Sequence, residues 1–303
     1  MRKQALLLFL VISLLSVSCS IEKNTAVTGA YRTNPFLEAT VIPCSGEDSL
    51  SFLLLSDEHI GQTTGGATHN LANLYAFMEA GSFPFAVSLG DLSDDGSRTP
   101  GVFDFVANVR GRTTGNVLVQ CVGNHDRHAQ SSSYAELLET EHLSMHRYVC
   151  GNLSMYVLDN SMRTFTKQQF AWLEEALRAD TSKYKIFFAH ENICAGTNLS
   201  NTQIMVGFAD VSEMNRLFSL MERYKVGLLL TGHSHSGNEV YDSPSGNYAE
   251  YNICSFVKTT NIFAPGDMWY TVEVNLSDGK AVVRSYNGTS MQKVDTKTFI
   301  LPS

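Results

Sequence analysis

Five short polar blocks carry residue types that hold metal ions: Asp57-Glu58-His59, Gly90-Asp91, Gly123-Asn124-His125-Asp126, a single His190, and Gly232-His233-Ser234-His235. Asp57 and His59 are two apart, so in an extended segment both side chains leave on the same side and can grip one ion. His233 and His235 repeat that spacing, with Gly232 allowing a turn close to the ions. Asp91 offers a carboxylate able to bridge two cations, Asn124 a carbonyl oxygen and His190 a further ring nitrogen. No block contains cysteine, and a mixed nitrogen and oxygen donor set favours manganese, iron or zinc over an all-sulfur structural site. Two such ions about 3.5–4 Å apart would acidify a bridging water, neutralise phosphoryl oxygens and align nucleophile with leaving group. An acid for the leaving oxygen is still needed. His125 is placed to be it, with Asp126 beside it to fix the tautomer and raise the imidazole pKa.

Each block ends an apolar run, over residues 50–56, 83–89, 117–122, 184–189 and 226–231. Short apolar runs separated by helical patterns read as buried strands of an α/β sheet, whose ligand sites lie at the carboxyl ends of the strands. Residues scattered from 57 to 235 are therefore expected on one rim. Helices are expected at about 68–79, 100–110, 132–142, 166–179 and 210–224. Leu71, Leu74, Tyr75 and Met78 mark the core face of the first, and Met214, Leu217, Phe218 and Met221 that of the last. Thr166 and Gln169 form a T-x-x-Q capping box ahead of the apolar stripe Phe170, Leu173 and Leu177. Runs 269–276 and 280–286 flank Ser277-Asp278-Gly279, a hairpin signal that would complete a second sheet. Residues 196–207, rich in Asn, Thr and Ser, are the candidate specificity loop.

In order, the blocks spell D-x-H, G-D, G-N-H-[D/E], H and G-H-x-H, and over roughly residues 49–290 the chain resembles the calcineurin-like metallophosphoesterase family. The resemblance implies a four-layer α/β/β/α sandwich, two mixed sheets flanked by helices. Position by position it implies that Asp57, His59, Asp91 and His235 bind one divalent metal. The second would be held by Asp91, bridging, with Asn124, His190 and His233. Hydrolysis of a small phosphate ester or diester by a metal-bridging hydroxide is implied, with His125 as general acid. Departures narrow the branch. Asp94 stands where purple acid phosphatases have a tyrosine, and Val122 precedes Gly123 where the R-G-N-H-E of serine/threonine phosphatases has arginine. The 68 residues after His235 are too few for the second domain of the large periplasmic nucleotidases. The compact group that includes class III cyclic-nucleotide phosphodiesterases is more similar, since Leu158-Asp159-Asn160 and the helix after it resemble theirs. Two rivals remain: a nuclease of the family, and an envelope-anchored binding or scaffold protein that keeps the fold without catalysis.

Other polar residues read more plainly. Asp94 and Asp95 would complement a helix dipole rather than bind metal. Glu191 and Asn192 would line the mouth of the site. His69, His128, His142 and His146 read as surface or core residues, and Arg98, Arg127 and Arg163 as substrate contacts or surface charges.

The first residues, Met-Arg-Lys-Gln, precede an apolar run over 5–15, too short to span a membrane, and residues 1–18 read as a secretory signal. Ser16-Val17-Ser18 before Cys19 resembles a bacterial lipobox, with Ser16 in place of the usual leucine, so Cys19 is expected to carry lipid. Residues 19–48 would supply the anchor cysteine and a polar tether, and 49–303 the enzyme domain. The expected location is the bacterial cell envelope, with membrane contact through the anchor only. Net charge is −8, becoming −10 without Arg2 and Lys3, which disfavours polyanions. No nucleic-acid module is evident. Hydrophobic content of 44% is enough for a buried core. Cys44, Cys121, Cys150, Cys194 and Cys254 remain beyond Cys19. Five is odd, so one or two bridges at most are expected, with Cys121 a buried free thiol.

Overall fold

The apolar runs become strands because every second side chain has its own core to enter. In β2 (Ser49–Leu55), Phe52 and Leu54 enter one hydrophobic cluster while Leu53 and Leu55 enter another on the opposite face. In β7 (Tyr184–Phe188), Ile186 and Phe188 share the cluster of Phe52, whereas Phe187 belongs to a third. Two sheets back to back, each covered outside by helices, satisfy this pattern.

The computed structural model describes residues 39–44, 48–94, 101–126, 145–194, 211–262 and 265–303. In chain order the elements are β1 (Thr40–Val41), β2, α1 (Leu71–Gly81), β3 (Ala86–Ser88), α2 (Val102–Gly111), β4 (Leu118–Gln120), β5 (His146–Cys150), β6 (Leu153–Val157) and α3 (Lys167–Ala179). There follow β7, α4 (Val211–Tyr224), β8 (Leu228–Thr231), β9 (Ser236–Asp242), β10 (Ala249–Cys254), β11 (Met268–Asn275), β12 (Lys280–Asn287) and β13 (Lys293–Ile300). One sheet has the order β13-β12-β11-β2-β3-β4, the other β1-β5-β6-β7-β8-β10-β9. Within the first, β2, β3 and β4 are parallel; within the second, β6, β7, β8 and β10 are parallel. Antiparallel strands flank both groups, so both sheets are mixed. Leu74 and Met78 of α1 and Phe105 and Val109 of α2 cover the first sheet. Phe170 and Leu173 of α3 with Leu217 and Met221 of α4 cover the second. The result is the four-layer α/β/β/α sandwich.

Several expectations are refined. The five apolar runs do not share a sheet: three lie in the first and two in the second. The hairpin β11–β12 forms no separate sheet but extends the first through antiparallel pairing of β11 with β2. Helix α1 begins at Leu71, because Thr68 pairs with Lys258 in an isolated bridge. The expected helix at 132–142 and the loop at 196–207 lie outside the described residues, as do the leader and Cys19. Cys44 is bonded to Cys150, while Cys121, Cys194 and Cys254 form no disulfide among the described residues and Cys121 is buried. No helix among the described residues is long and apolar enough to cross a membrane.

The capping box forms as expected: Thr166 Oγ1 accepts from Gln169 N at 3.1 Å, and the Gln169 side chain takes the Thr166 N–H. Thr166→Ala removes one side of this exchange and should lower unfolding stability by about 1 kcal/mol. Urea denaturation read by circular dichroism, with unchanged slope and a lower midpoint, checks it.

Candidate metal centre

Asp57, Asp91 and Asn124 follow β2, β3 and β4; His190 follows β7 and His233 follows β8. The loops carrying them are fastened to one another beyond the strand ends. Asp57 N donates to Gly90 O at 2.9 Å, His59 N to Asp91 O at 2.8 Å, and Gly232 N to His190 O at 2.9 Å. Between the sheets, Asp57 Oδ2 accepts from His233 N at 2.9 Å, and within its own loop it accepts from Ser56 Oγ at 2.6 Å.

Five of the side chains stand on left-handed backbone: Asp57, His59, Asp91, His233 and His235 have φ of 53°, 43°, 54°, 68° and 57°. Such residues cost roughly 1–3 kcal/mol each and persist only where neighbouring contacts fix them. Two glycines make the crowding feasible. A Cβ at Gly123 would lie 2.1 Å from Asp91 Oδ1, and one at Gly232 would lie 1.8 Å from Ser56 Oγ.

Three groups of ligand atoms come together, each within 4.8 Å: Asp57, His59 and His235; His59, Asp91 and His125; Asp91, His190 and His233. Asp91 Oδ2 is 3.6 Å from His59 Nε2 and 3.3 Å from His190 Nε2, so one carboxylate oxygen faces both pockets. In the first pocket Asp57 Oδ1 is 3.3 Å from His235 Nε2, which is 3.1 Å from His59 Nε2. In the second, His190 Nε2 is 3.1 Å from Asn124 Oδ1 and 3.2 Å from His233 Nδ1. Ring nitrogens facing each other this closely need a shared proton or cation between them. Asp57 Oδ1 is buried without a hydrogen-bond partner. This oxygen and nitrogen donor set fits two divalent cations of the manganese, iron or zinc type.

Electrostatics agree with that fit. Burial opposes charge on Asp57, yet His235, His190 and His59 hold its carboxyl well below the usual range. Burial acts likewise on Asp91, but His190 and His59 bring it to about 2. For His190 burial disfavours the cation, and Asp91, Asp57 and Glu191 nevertheless push it up to about 10. His233, buried and facing His190, is pushed down to about 3. The two carboxylates thus draw protons onto neighbouring rings, and cations bound there would displace those protons.

Surrounding groups aim the rings. His190 Nδ1 meets Leu89 O at 3.1 Å, which leaves Nε2 for the pocket, and Asn160 Oδ1 accepts its backbone N–H at 3.1 Å. His59 Nδ1 is 3.2 Å from Asp94 Oδ1. His125 donates its backbone N–H to Asp91 Oδ1 at 2.8 Å, and its Nδ1 lies 2.6 Å from Asp94 O. The expected role of Asp126 is therefore corrected. Its carboxylate accepts the backbone N–H groups of Gly123 and Ser93 at 3.0 Å and of Leu92 at 3.3 Å, and it is Asp94 that meets the His125 ring. Burial and the nearby Asp91 push Asp126 up to about 6. Asp94 is corrected too, since it serves two imidazoles rather than a helix end.

The search for carboxylates behind each ligand histidine would have found Asp94 in the sequence. Nothing in the sequence marked Glu250 or Asn252 of β10. Glu250 accepts from Ile193 N at 2.7 Å and Thr231 Oγ1 at 3.0 Å; Asn252 holds Gly232 O and Ser234 Oγ. Glu191, expected at the mouth, is buried beside His233. His69 Nε2 meets Glu58 O at 2.8 Å and so supports the first loop. His146 contacts Thr40 at 2.7 Å, away from the pockets. Asp95, Arg98, Arg127, His128 and His142 lie outside the described residues.

A model of the calcineurin-like phosphoesterase family matches residues 50–237. No curated protein sequence matches the chain. Among solved structures, Vps29 from Cryptosporidium parvum is 11% identical with a TM-score of 0.48, covering 84% of this chain and 100% of that one. A single mutant of Vps29 from Entamoeba histolytica is 12% identical with a TM-score of 0.45, covering 82% of this chain and 97% of that one. A phosphatase from Mycoplasma pneumoniae is 10% identical with a TM-score of 0.42, covering 85% of this chain and 95% of that one. Likeness at these scores carries no argument about activity.

Gly123→Ala should force Asp91 out of place, since the added Cβ also meets Asp91 N at 2.3 Å. The expected outcome is loss of bound manganese by elemental analysis, with Gly111→Ala, whose Cβ meets nothing within 4 Å, retaining it. Wild-type metal content in Gly123→Ala would show that the close approach does not shape the pockets.

Proposed function

Because the chain belongs to the calcineurin-like phosphoesterase family, we propose that it hydrolyses a small phosphate ester or diester with two divalent metal ions. The observation that carries this is Asp91 Oδ2 facing ring nitrogens of both pockets. Asp57, His59, Asp91 and His235 would hold one ion, and Asp91, Asn124, His190 and His233 would hold the other. Cations held there supply a more acidic water, charge neutralisation of the phosphoryl group and alignment for in-line displacement.

The protein's own groups do the rest. His125 donates the proton that the leaving oxygen needs. Its Nδ1 is engaged by Asp94 O, so the proton transferred sits on Nε2. Asp94 also orients His59. Asp126 keeps the 91–93 and 123 backbone together, so the acid and the bridging carboxylate stay in register.

We place this enzyme outside the cytoplasm, held by a lipid on Cys19. The apolar leader and the small residues before Cys19 support that placement. The Cys44–Cys150 bridge does so as well, since disulfides persist in oxidising compartments.

The test is hydrolysis of p-nitrophenyl phosphate and bis-p-nitrophenyl phosphate by protein loaded with manganese, iron(II), zinc or magnesium. Asp91→Ala should lose both metal and turnover. His125→Ala should keep its metal and lose about 10²–10⁴ in kcat. Absence of turnover with two ions bound would favour a binding role, and absence of bound metal would overturn the proposal.

A further inference from the structure

His190 is held from three directions outside its pocket. Its backbone N–H donates to Asn160 Oδ1 at 3.1 Å, its carbonyl accepts from Gly232 N at 2.9 Å, and its Nδ1 meets Leu89 O at 3.1 Å. Of these three anchors only Asn160 acts through a side chain, so it is the one that a substitution can remove.

Asn160 ends the Leu158-Asp159-Asn160 segment after β6 and is fully buried. The same Oδ1 also accepts the N–H of Glu191 at 3.0 Å, and Nδ2 donates to Glu191 O at 2.6 Å. Successive N–H groups of a strand point to opposite sides. Two of them on one oxygen mean that the chain has left the strand line at His190, two residues beyond the end of β7. That turn carries the His190 ring toward Asp91, where its Nε2 stands 3.3 Å from Asp91 Oδ2, 3.1 Å from Asn124 Oδ1 and 3.2 Å from His233 Nδ1. Asn160 is itself braced. Its carbonyl accepts from Arg163 N at 2.7 Å, and Gln169 of the α3 capping box donates to the adjoining Asp159 O at 2.7 Å. Without Oδ1, two adjacent buried N–H groups would lack this acceptor, a state the loop can relieve only by moving.

We infer that Asn160 is a positioning residue for the pocket of Asn124, His190 and His233, and that this pocket alone loses its cation without it. The inference rests on the two-metal reading above. None of the described contacts of Asn160 reaches Asp57, His59 or His235. Asp91 keeps its own bond from His125 N at 2.8 Å, so the other pocket retains its carboxylate. The two pockets share Asp91 but are held in place by different parts of the chain.

The plainer role for Asn160 is to join the loops after β6 and β7 for stability alone, and the experiment separates the two. Manganese binding is followed by calorimetric titration and electron paramagnetic resonance, with folding checked by circular dichroism. The proteins compared are wild type, Asn160→Ala, Asn160→Asp, Asn160→Ala with His233→Ala, and Leu173→Ala. Leu173 is buried in the core under α3, so its alanine variant reports lost stability without a lost anchor. Wild type should hold two ions with the spectrum of a coupled pair. In Asn160→Ala one dissociation constant should rise about 10- to 100-fold while the other changes by less than about threefold. At manganese concentrations between the two constants, the spectrum should become that of an isolated ion. Adding His233→Ala should remove no further ion, and Leu173→Ala should keep the coupled pair. Asn160→Asp keeps the acceptor oxygen and loses only the donor, so it should weaken the same ion by less. It also carries the test if the alanine variant does not fold. Wild-type affinity for both ions in Asn160→Ala, equal weakening of both, a further ion lost with His233→Ala, or the same loss in Leu173→Ala would overturn the inference alone. Fewer than two ions on wild type would overturn the two-metal reading and the inference with it.

Discussion

A carboxylate withdrawn from water is strongly unfavourable unless opposite charge meets it. Asp57 is 0% and Asp91 1% exposed, and the rest of the centre answers that constraint. Rings from both sheets must converge on these oxygens, so strands of both sheets must end at the same height. The loops beyond them must also turn inward within two or three residues. The backbone N–H of His233 and the hydroxyl of Ser56 satisfy one Asp57 oxygen. The other oxygen is left to face His235. A single side chain thereby fastens one sheet to the other and begins the metal pocket.

Left-handed backbone at five of these positions is tolerable because the loops brace one another on several sides. Asp57 N reaches Gly90 O, His59 N reaches Asp91 O, and Phe256 N and Val257 N reach Ser56 O and Asp57 O. No single loop could hold such conformations alone. Distortion is localised at the rim, while the strands beneath are mostly buried and largely aliphatic and aromatic, a packing that resists sliding. Rigidity at the base is what allows irregularity above.

The strands that end in candidate ligand residues were legible because they lie in predominantly apolar runs, the mark of burial on both faces. The supporting strands were not. β10 reads AEYNIC, and its Glu250 and Asn252 look like surface positions until their partners in the neighbouring loops are seen. β9 and β13 read SGNEVYD and KVDTKTFI, mostly polar with mainly half-exposed or exposed positions, a composition shared with loops. Among the site residues the candidate ligand types were readable from chemistry and spacing. The partner of the His125 ring was not, because sequence adjacency favoured Asp126, whereas the chain folds so that the carbonyl of Asp94 arrives instead. Adjacency in sequence is a poor guide where backbone amides compete for the same carboxylate.

The Cys44–Cys150 bond has a mechanical consequence. It joins the segment ahead of β2 to the end of β5, and Thr40–Val41 pairs alongside β5 as well. Tension on the chain before Cys44 therefore enters the fold through β5, across a covalent bond. Strand β2, which delivers Asp57, lies downstream of that junction and shares the load with the bridge. Pulling on the amino-terminal end would thus be resisted at one edge of the sandwich as well as along the chain that leads to Asp57.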